Sequence, residues 1–126
     1  MEKSTAISVL RIQLEKLNEF KPGGRLFTLN YEIELNYFPP KNNGKVIRKK
    51  YCESPFFISW EIGTIAVLNN IFGPTNEDVR RFKSIEYDKC FIASDELKEL
   101  DYAIKFLSGV DKAEKLIYHF IQELEN

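Results

Sequence analysis

The last quarter of the chain carries the pattern that most constrains the fold. Apolar residues recur there at alternating spacings of three and four, the repeat of one face of an α-helix. The repeat passes through Ser108-Gly109 without a change of phase, although a loop at that point would normally reset it. We predict one long final helix, which a bend at Gly109 would not interrupt, and two separate helices are the alternative. Its apolar face must pack on other helices or on a second subunit. The face consists of Ala103, Phe106, Val110, Ala113, Ile117, Phe120 and Leu124.

Residues 56–72 are predicted to form a second helix, which is apolar on most of its sides. Such a composition is typical of a buried helix, and a strand near Phe57–Trp60 is the alternative. Gly73-Pro74 ends the segment. Four small or short side chains share one narrow face, where another helix can approach closely: Ser59, Gly63, Ala66 and Asn70.

Two shorter helices are also expected. Residues 5–20 have helical apolar spacing and end at Pro22-Gly23-Gly24. Thr75-Asn76-Glu77-Asp78 resembles a capping box that opens a short helix carrying Val79 and Phe82.

Between the predicted helices at residues 5–20 and 56–72, the apolar residues follow a two-residue repeat. From Phe27 to Tyr37 apolar and polar residues alternate without interruption, which predicts a strand with one buried face. Lys45–Cys52 returns as a shorter strand, so residues 25–52 form a long antiparallel β-hairpin. Two strands alone are marginally stable, and the hairpin must therefore rest on helices or on another chain. Residues 84–93 are expected to be extended.

These elements predict a single α+β domain over residues 1–126. It has an N-terminal helix, the hairpin at 25–52 and a helical part at 54–126 that ends in the long helix. A chain of 126 residues with 44% hydrophobic and 29% charged residues has the size and composition for one core.

The chain offers few groups for catalysis or metal binding. His119 is the only histidine, which removes most catalytic triads and metal sites, and we expect it on the surface. Cys52 and Cys90 lack metal-ligand spacing. We expect no enzyme activity, no metal and no cofactor.

Charge and hydropathy indicate the compartment. The formal net charge of −1 gives no general attraction to nucleic acid or to an anionic membrane. Neither a signal peptide nor a membrane span is predicted. We expect a cytoplasmic protein with both thiols free.

Eight aromatic or cationic residues are candidates for binding a partner. The first strand offers an apolar face that continues into the adjacent aromatic residue, and the second combines positive charge with a stacking surface. Lysines that protect an exposed hairpin edge explain the second group equally well, and we favour that explanation. Two arginines of the short helix can hold an anionic ligand or simply pair with Glu77 and Asp78. The candidates are Tyr31, Tyr37, Phe38, Arg48, Lys49, Tyr51, Arg80 and Arg81.

The second half of the chain resembles a helical module of bacterial anti-phage-defence proteins. The resemblance rests on Phe57-x-x-Trp60, on the run from Val67 to Gly73, and on Gly109-x-x-x-Ala113. Asn76, Val79, Phe82, Ile85, Leu116 and Ile117 also fit it. That module occurs alone or beside TIR-like nucleotide-binding domains, and it does not include the predicted hairpin. The resemblance implies interaction or regulation and supplies no catalytic residues.

We therefore expect a non-catalytic protein–protein interaction or assembly module in prokaryotic defence or phage counter-defence. Its expected partners are another protein and a second copy of itself, in a homodimer. The alternative is a sensor or sponge for a nucleotide signal, which would bind through Arg48, Lys49, Arg80 or Arg81.

Overall fold

A computed structural model describes the backbone of residues 1–26, 31–37, 45–52, 55–87, 90–93 and 96–126. Within these ranges it describes the side chains of residues 1–26, 55–87 and 105–126. The helices are α1 (Lys3–Leu17), continued by a 3₁₀ turn (Asn18–Phe20), α2 (Pro55–Phe72), α3 (Glu77–Lys83) and α4 (Glu96–Glu125). The strands are β1 (Tyr31–Tyr37), β2 (Lys45–Cys52) and β3 (Cys90–Ala93).

The predicted α+β fold class is wrong. Across residues 1–26, 55–87 and 105–126, 79% of the residues are helical and none lies in a strand. The described core is built from the buried faces of helices, together with the 3₁₀ turn and Tyr87. The two-residue alternation after Phe27 indicates a local preference for strand conformation. It does not determine which segments of the chain supply the core. The packed body is a four-helix assembly.

The strands also differ from the predicted two-stranded hairpin. Three strands pair in the order β1-β2-β3, with both neighbouring pairs antiparallel. The segment expected only to be extended thus contributes β3, and β2 lies in the middle. Residues 27–30 and the turn between β1 and β2 lie outside the described residues.

Phe57 is the centre of the core. Its side chain is fully buried, and four aromatic rings surround it at centroid distances of 4.7 to 5.6 Å. Three of the contacts are edge-on, the arrangement that aromatic quadrupoles favour. The four rings come from the 3₁₀ turn, α2, the segment after α3, and α4, so one side chain joins these parts of the body. They belong to Phe20, Trp60, Tyr87 and Phe106.

The prediction of one uninterrupted final helix is confirmed, since α4 runs through Gly109. A Cβ added at Gly109 would lie 2.6 Å from Tyr87 Cδ1 and 2.9 Å from the Glu86 carbonyl oxygen. The glycine therefore lets the segment after α3 cross α4 at close range. The predicted apolar face packs inside the chain, because Phe106, Val110, Ala113, Ile117 and Phe120 are all buried. No helix in the described part of the chain is both long and apolar enough to cross a membrane.

Two ion pairs show that α1 runs antiparallel to α4. Arg11 Nη2 lies 2.6 Å from Glu125 Oε1, and Lys21, just beyond the helical segment, pairs with Glu114. As residue numbers rise along α1 they fall along α4, which establishes the antiparallel direction. The Arg11 pair is exposed, and pairs of that kind contribute about 0–1 kcal/mol, so the apolar faces provide most of the stability here.

A buried polar network joins α1 to α2. The Gln13 side-chain nitrogen donates to Thr64 Oγ1 at 2.6 Å, and that hydroxyl donates to the Trp60 carbonyl oxygen at 2.8 Å. Trp60 Nε1 donates back to the Gln13 carbonyl oxygen at 2.9 Å. Each buried donor in this network has an acceptor, which fixes the register of the two helices. Trp60 itself is buried and belongs to the core.

Candidate functional site

Helix α2 has one buried face and one exposed apolar face. Its fully or largely buried residues are Phe57, Trp60, Thr64 and Leu68. On its other sides the exposed fraction is 63% for Ile62, 55% for Phe56 and 40% for Ile58. The helix itself was predicted correctly, and the strand alternative for residues 56–62 is excluded. The expected burial on most sides is wrong, because only one face of α2 meets the rest of the described body.

We call the exposed side of this helix the α2 outer face. Its seven exposed residues carry no charge. Glu61 is the only charged residue of the helix, and it is half-buried outside this face. The exposed sides of α1 and α4, in contrast, are rich in lysine, arginine and glutamate. An uncharged surface with exposed large apolar side chains is typical of a protein-contact region. The face consists of Pro55, Phe56, Ile58, Ser59, Ile62, Ala66 and Asn70.

Gly63 borders the α2 outer face near the middle of the helix. Among the described residues, the nearest atom to an added Cβ is Gln13 Nε2 at 4.0 Å, an ordinary van der Waals separation. A glycine inside a helix costs about 1 kcal/mol relative to alanine. At Gly109 the neighbouring Tyr87 accounts for the glycine, whereas no described neighbour does so at Gly63.

A groove lies beside the same face, between α1 and α2. Its volume is about 550 Å³, and its lining includes Gln13, Phe20, Phe56, Trp60 and Val67. Gly63 and Ser59 form part of its rim, so the groove and the α2 outer face form a continuous surface. The predicted small-residue strip therefore adjoins a concave region whose lining is partly apolar and also includes Lys16, Glu19 and Arg25.

The candidates on the strands are located by backbone alone. Tyr31 lies opposite Tyr51 in the β1–β2 register, and Arg48 lies opposite Glu34. Lys49 pairs with Ile33 on one side and with Ala93 on the other. At that position β2 is an inner strand, so edge protection does not account for Lys49. Tyr37 ends β1, and Phe38 lies outside the described residues.

The two arginine candidates are exposed on α3. Arg81 lies 3.5 Å from Glu77 Oε1 and 3.4 Å from Asp78 Oδ1, the solvated pairing given above as the alternative. It also lines a groove of about 490 Å³ together with Lys112, Lys115 and Ser84. Arg80 does not line this groove.

The expected surface position of His119 is confirmed, but its neighbours were missed. Nε2 lies 3.1 Å from Asp78 Oδ2 and 3.0 Å from Glu123 Oε1. His119 and Glu123 are four residues apart on one helix, a spacing that places them side by side and that was visible in the sequence. Asp78 comes from α3, 41 residues earlier, and no local pattern indicates that contact.

No protein-family model, curated protein or solved structure matches the chain. The resemblance of the second half to a defence-associated helical module stays a prediction. The geometry of the described residues supplies the remaining evidence on function.

Proposed function

We propose that this chain is a non-catalytic assembly module that self-associates through the α2 outer face. The single observation that carries the proposal is the combination of an uncharged, apolar helix surface with a glycine that the described interior does not require. A second helix packed against Gly63 would account for both features.

Close approach of two backbones is the physical basis of the proposal. Helix axes are normally 8–10 Å apart, and the distance depends on the side chains at the crossing point. With Gly63 at the crossing and Ser59 and Ala66 beside it, two helices can approach at the short end of that range. The flanking Phe56 and Ile62 then cover the crossing with apolar surface.

A second copy of this chain is the occupant that fits best. In a twofold dimer the same surface serves both subunits, so a charge close to the twofold axis would face its own copy. The α2 outer face has no charges and avoids that repulsion. Gly63 lies near the midpoint of Pro55–Phe72, so an antiparallel crossing there pairs each end of one α2 with the opposite end of its partner.

The test is the solution mass by light scattering for the wild type and for Ile62→Asp. Ile62 is 63% exposed in the single chain, so the substitution leaves the fold intact. In the dimer the carboxylate would be buried without a partner, and the dissociation constant should rise at least tenfold, which corresponds to about 1.4 kcal/mol. The wild type should be a dimer and Ile62→Asp a monomer at the same concentration.

Ile12→Asp is the matched control. Ile12 is 48% exposed on α1, outside the α2 outer face, and the substitution introduces the same charge. The control should stay dimeric. Loss of the dimer in both variants, or in neither, would contradict the assignment of the interface to α2.

The biological setting that we propose is prokaryotic defence or phage counter-defence in the cytoplasm, where the chain would bind a further protein. The defence setting is supported by the sequence resemblance alone. The assembly surface is argued independently of that setting and is tested separately from it.

A second candidate function, a sensor or sponge for a nucleotide signal, is favoured by the groove that Arg81 lines. Lys112 and Lys115 lie on the same groove, so three cations converge there with Glu86 as an acidic neighbour. Two of the three already pair with carboxylates, Arg81 with Glu77 and Asp78, and Lys115 with Asp111 at 2.9 Å. This reduces the charge available for phosphate, and for that reason we place this function second.

Thermal unfolding in the presence of cyclic and NAD-derived nucleotides tests the sensor. Binding at this groove should raise the melting temperature of the wild type, and Lys112→Glu should abolish the increase. An increase that survives Lys112→Glu, or no increase with any nucleotide, would contradict this use of the groove.

A further inference from the structure

Three potential metal ligands converge between α3 and α4. Asp78 supplies a carboxylate from the first turn of α3, and His119 and Glu123 supply an imidazole and a carboxylate from α4. One ligand atom from each lies within 4.8 Å of the other two. The cluster lies outside the α2 outer face, so it stands apart from the proposed assembly surface.

The two carboxylates of this cluster share a single hydrogen-bond donor on His119. Both lie close to the same imidazole nitrogen, Nε2 of His119, at 3.1 and 3.0 Å. This nitrogen carries at most one hydrogen, so it can donate a full hydrogen bond to only one of them at a time. A divalent cation in place of that hydrogen attracts both carboxylates and accepts the nitrogen lone pair.

We infer that Asp78, His119 and Glu123 form a binding site for a divalent transition metal of the zinc class. Imidazole nitrogen and carboxylate oxygen are both ligands of Zn²⁺, at bond lengths of about 2.0–2.2 Å. Tetrahedral bonds of that length place neighbouring ligand atoms about 3.3 Å apart. The two nitrogen–oxygen separations, 3.1 and 3.0 Å, already approach this value.

To bring all three ligand atoms to tetrahedral spacing, the two carboxylates must move toward each other. Glu123 is 42% exposed at its side chain and is free to rotate toward Asp78. Asp78 is held more firmly, because its other oxygen, Oδ1, accepts from Arg81 at 3.4 Å. Its backbone nitrogen also donates to the Asn76 side chain at 2.9 Å. A ligand fixed by such contacts is typical of metal sites, where residues behind the ligands orient them.

Three protein ligands leave the fourth tetrahedral position open to solvent. Water or a side chain from a partner molecule can occupy it. Within one chain the metal would connect α3 to α4 and stabilise the folded state, because the unfolded chain does not hold the three ligands together.

Zn²⁺ binding should be measured by titration calorimetry in a Cys52→Ser/Cys90→Ser background. The β2–β3 register places Cys52 opposite Cys90, so their thiols are a rival site that this background removes. His119 is the only histidine, and its substitution therefore removes the only imidazole ligand. We expect one Zn²⁺ per chain and a rise in melting temperature with added Zn²⁺.

His119→Asn should abolish both effects in that background. Asp78→Asn and Glu123→Gln should each weaken binding at least about tenfold, the lower end of the loss seen when even a residue behind a ligand is altered. Glu125→Gln, on the same helix but paired with Arg11, is the matched control and should bind as tightly as its parent. The proposal is overturned if the background chain binds no Zn²⁺, or if Zn²⁺ binding is unchanged by Asp78→Asn and Glu123→Gln.

Discussion

Thr64→Val tests the polar network that sets α1 against α2. Valine has nearly the shape of threonine and a similar helix propensity, so the main change is the loss of the hydroxyl. Gln13 Nε2 then loses its acceptor at 2.6 Å inside a largely buried side chain. An unsatisfied buried donor costs about 1–3 kcal/mol. Gln13 also borders the groove beside α2, where it can turn toward water, so we expect about 1–2 kcal/mol.

The loss is best measured by thermal and denaturant unfolding followed by circular dichroism. For a chain of this size 1 kcal/mol corresponds to about 4 °C in melting temperature, so the expected decrease is about 4–8 °C. The slope of the denaturant transition should be unchanged, because the substitution alters stability and not the surface exposed on unfolding.

A double-mutant cycle with Gln13→Met separates the hydrogen bond from simple packing. Methionine keeps much of the side-chain length but has no amide that needs an acceptor. In that background Thr64→Val should cost less than about 0.5 kcal/mol, because no donor is left unsatisfied. If Thr64→Val costs the same in both backgrounds, the Gln13–Thr64 hydrogen bond does not contribute as argued.

Three further substitutions should lower stability, and thermal unfolding measures each of them. Phe57→Ala removes the ring at the centre of the core and should cost about 3–5 kcal/mol. Asn76→Ala removes the side-chain cap that accepts from two backbone nitrogens of α3 and should cost about 1 kcal/mol. Gly109→Ala places a methyl group 2.6 Å from Tyr87 Cδ1. Its strain of about 1–3 kcal/mol should exceed the helix-propensity gain of about 1 kcal/mol. A stabilised Gly109→Ala variant would show that Tyr87 moves aside without cost.

The helices could be predicted because each buries a periodic apolar face. The spacing from Phe106 to Phe120 gave the correct face of α4, and its continuity through Gly109 gave the correct connection. At α3 the helix and its buried Val79 and Phe82 were also predicted. Asn76 is the residue that caps the N-terminus of α3. The predicted capping box did not single it out, because local propensity does not decide which of several neighbouring polar residues occupies the capping position.

The fold class could not be predicted from the same reasoning. The alternation from Phe27 to Tyr37 indicates a local preference for a strand. The core, however, depends on which faces of the helices and strands pack together across long sequence separations. Helix α2 shows the same limit, because its apolar residues on most sides indicated burial and Ile62 is largely exposed. The contact of Asp78 with His119 likewise depends on how α3 packs against α4. The sequence predicts that another helix can approach the small-residue strip that includes Gly63, and in the structure α2 leaves this strip accessible.

Sedimentation equilibrium of the wild type and of Gly63→Leu measures whether the chain self-associates through the α2 outer face. The wild type should have a mass of twice 14.8 kDa, and Gly63→Leu should be a monomer because its side chain separates the crossing helices. Circular dichroism should show an unchanged helix content, since an added Cβ at this position has 4.0 Å to its nearest described neighbour. A monomeric wild type, or a folded Gly63→Leu variant that stays dimeric, would contradict self-association through the α2 outer face.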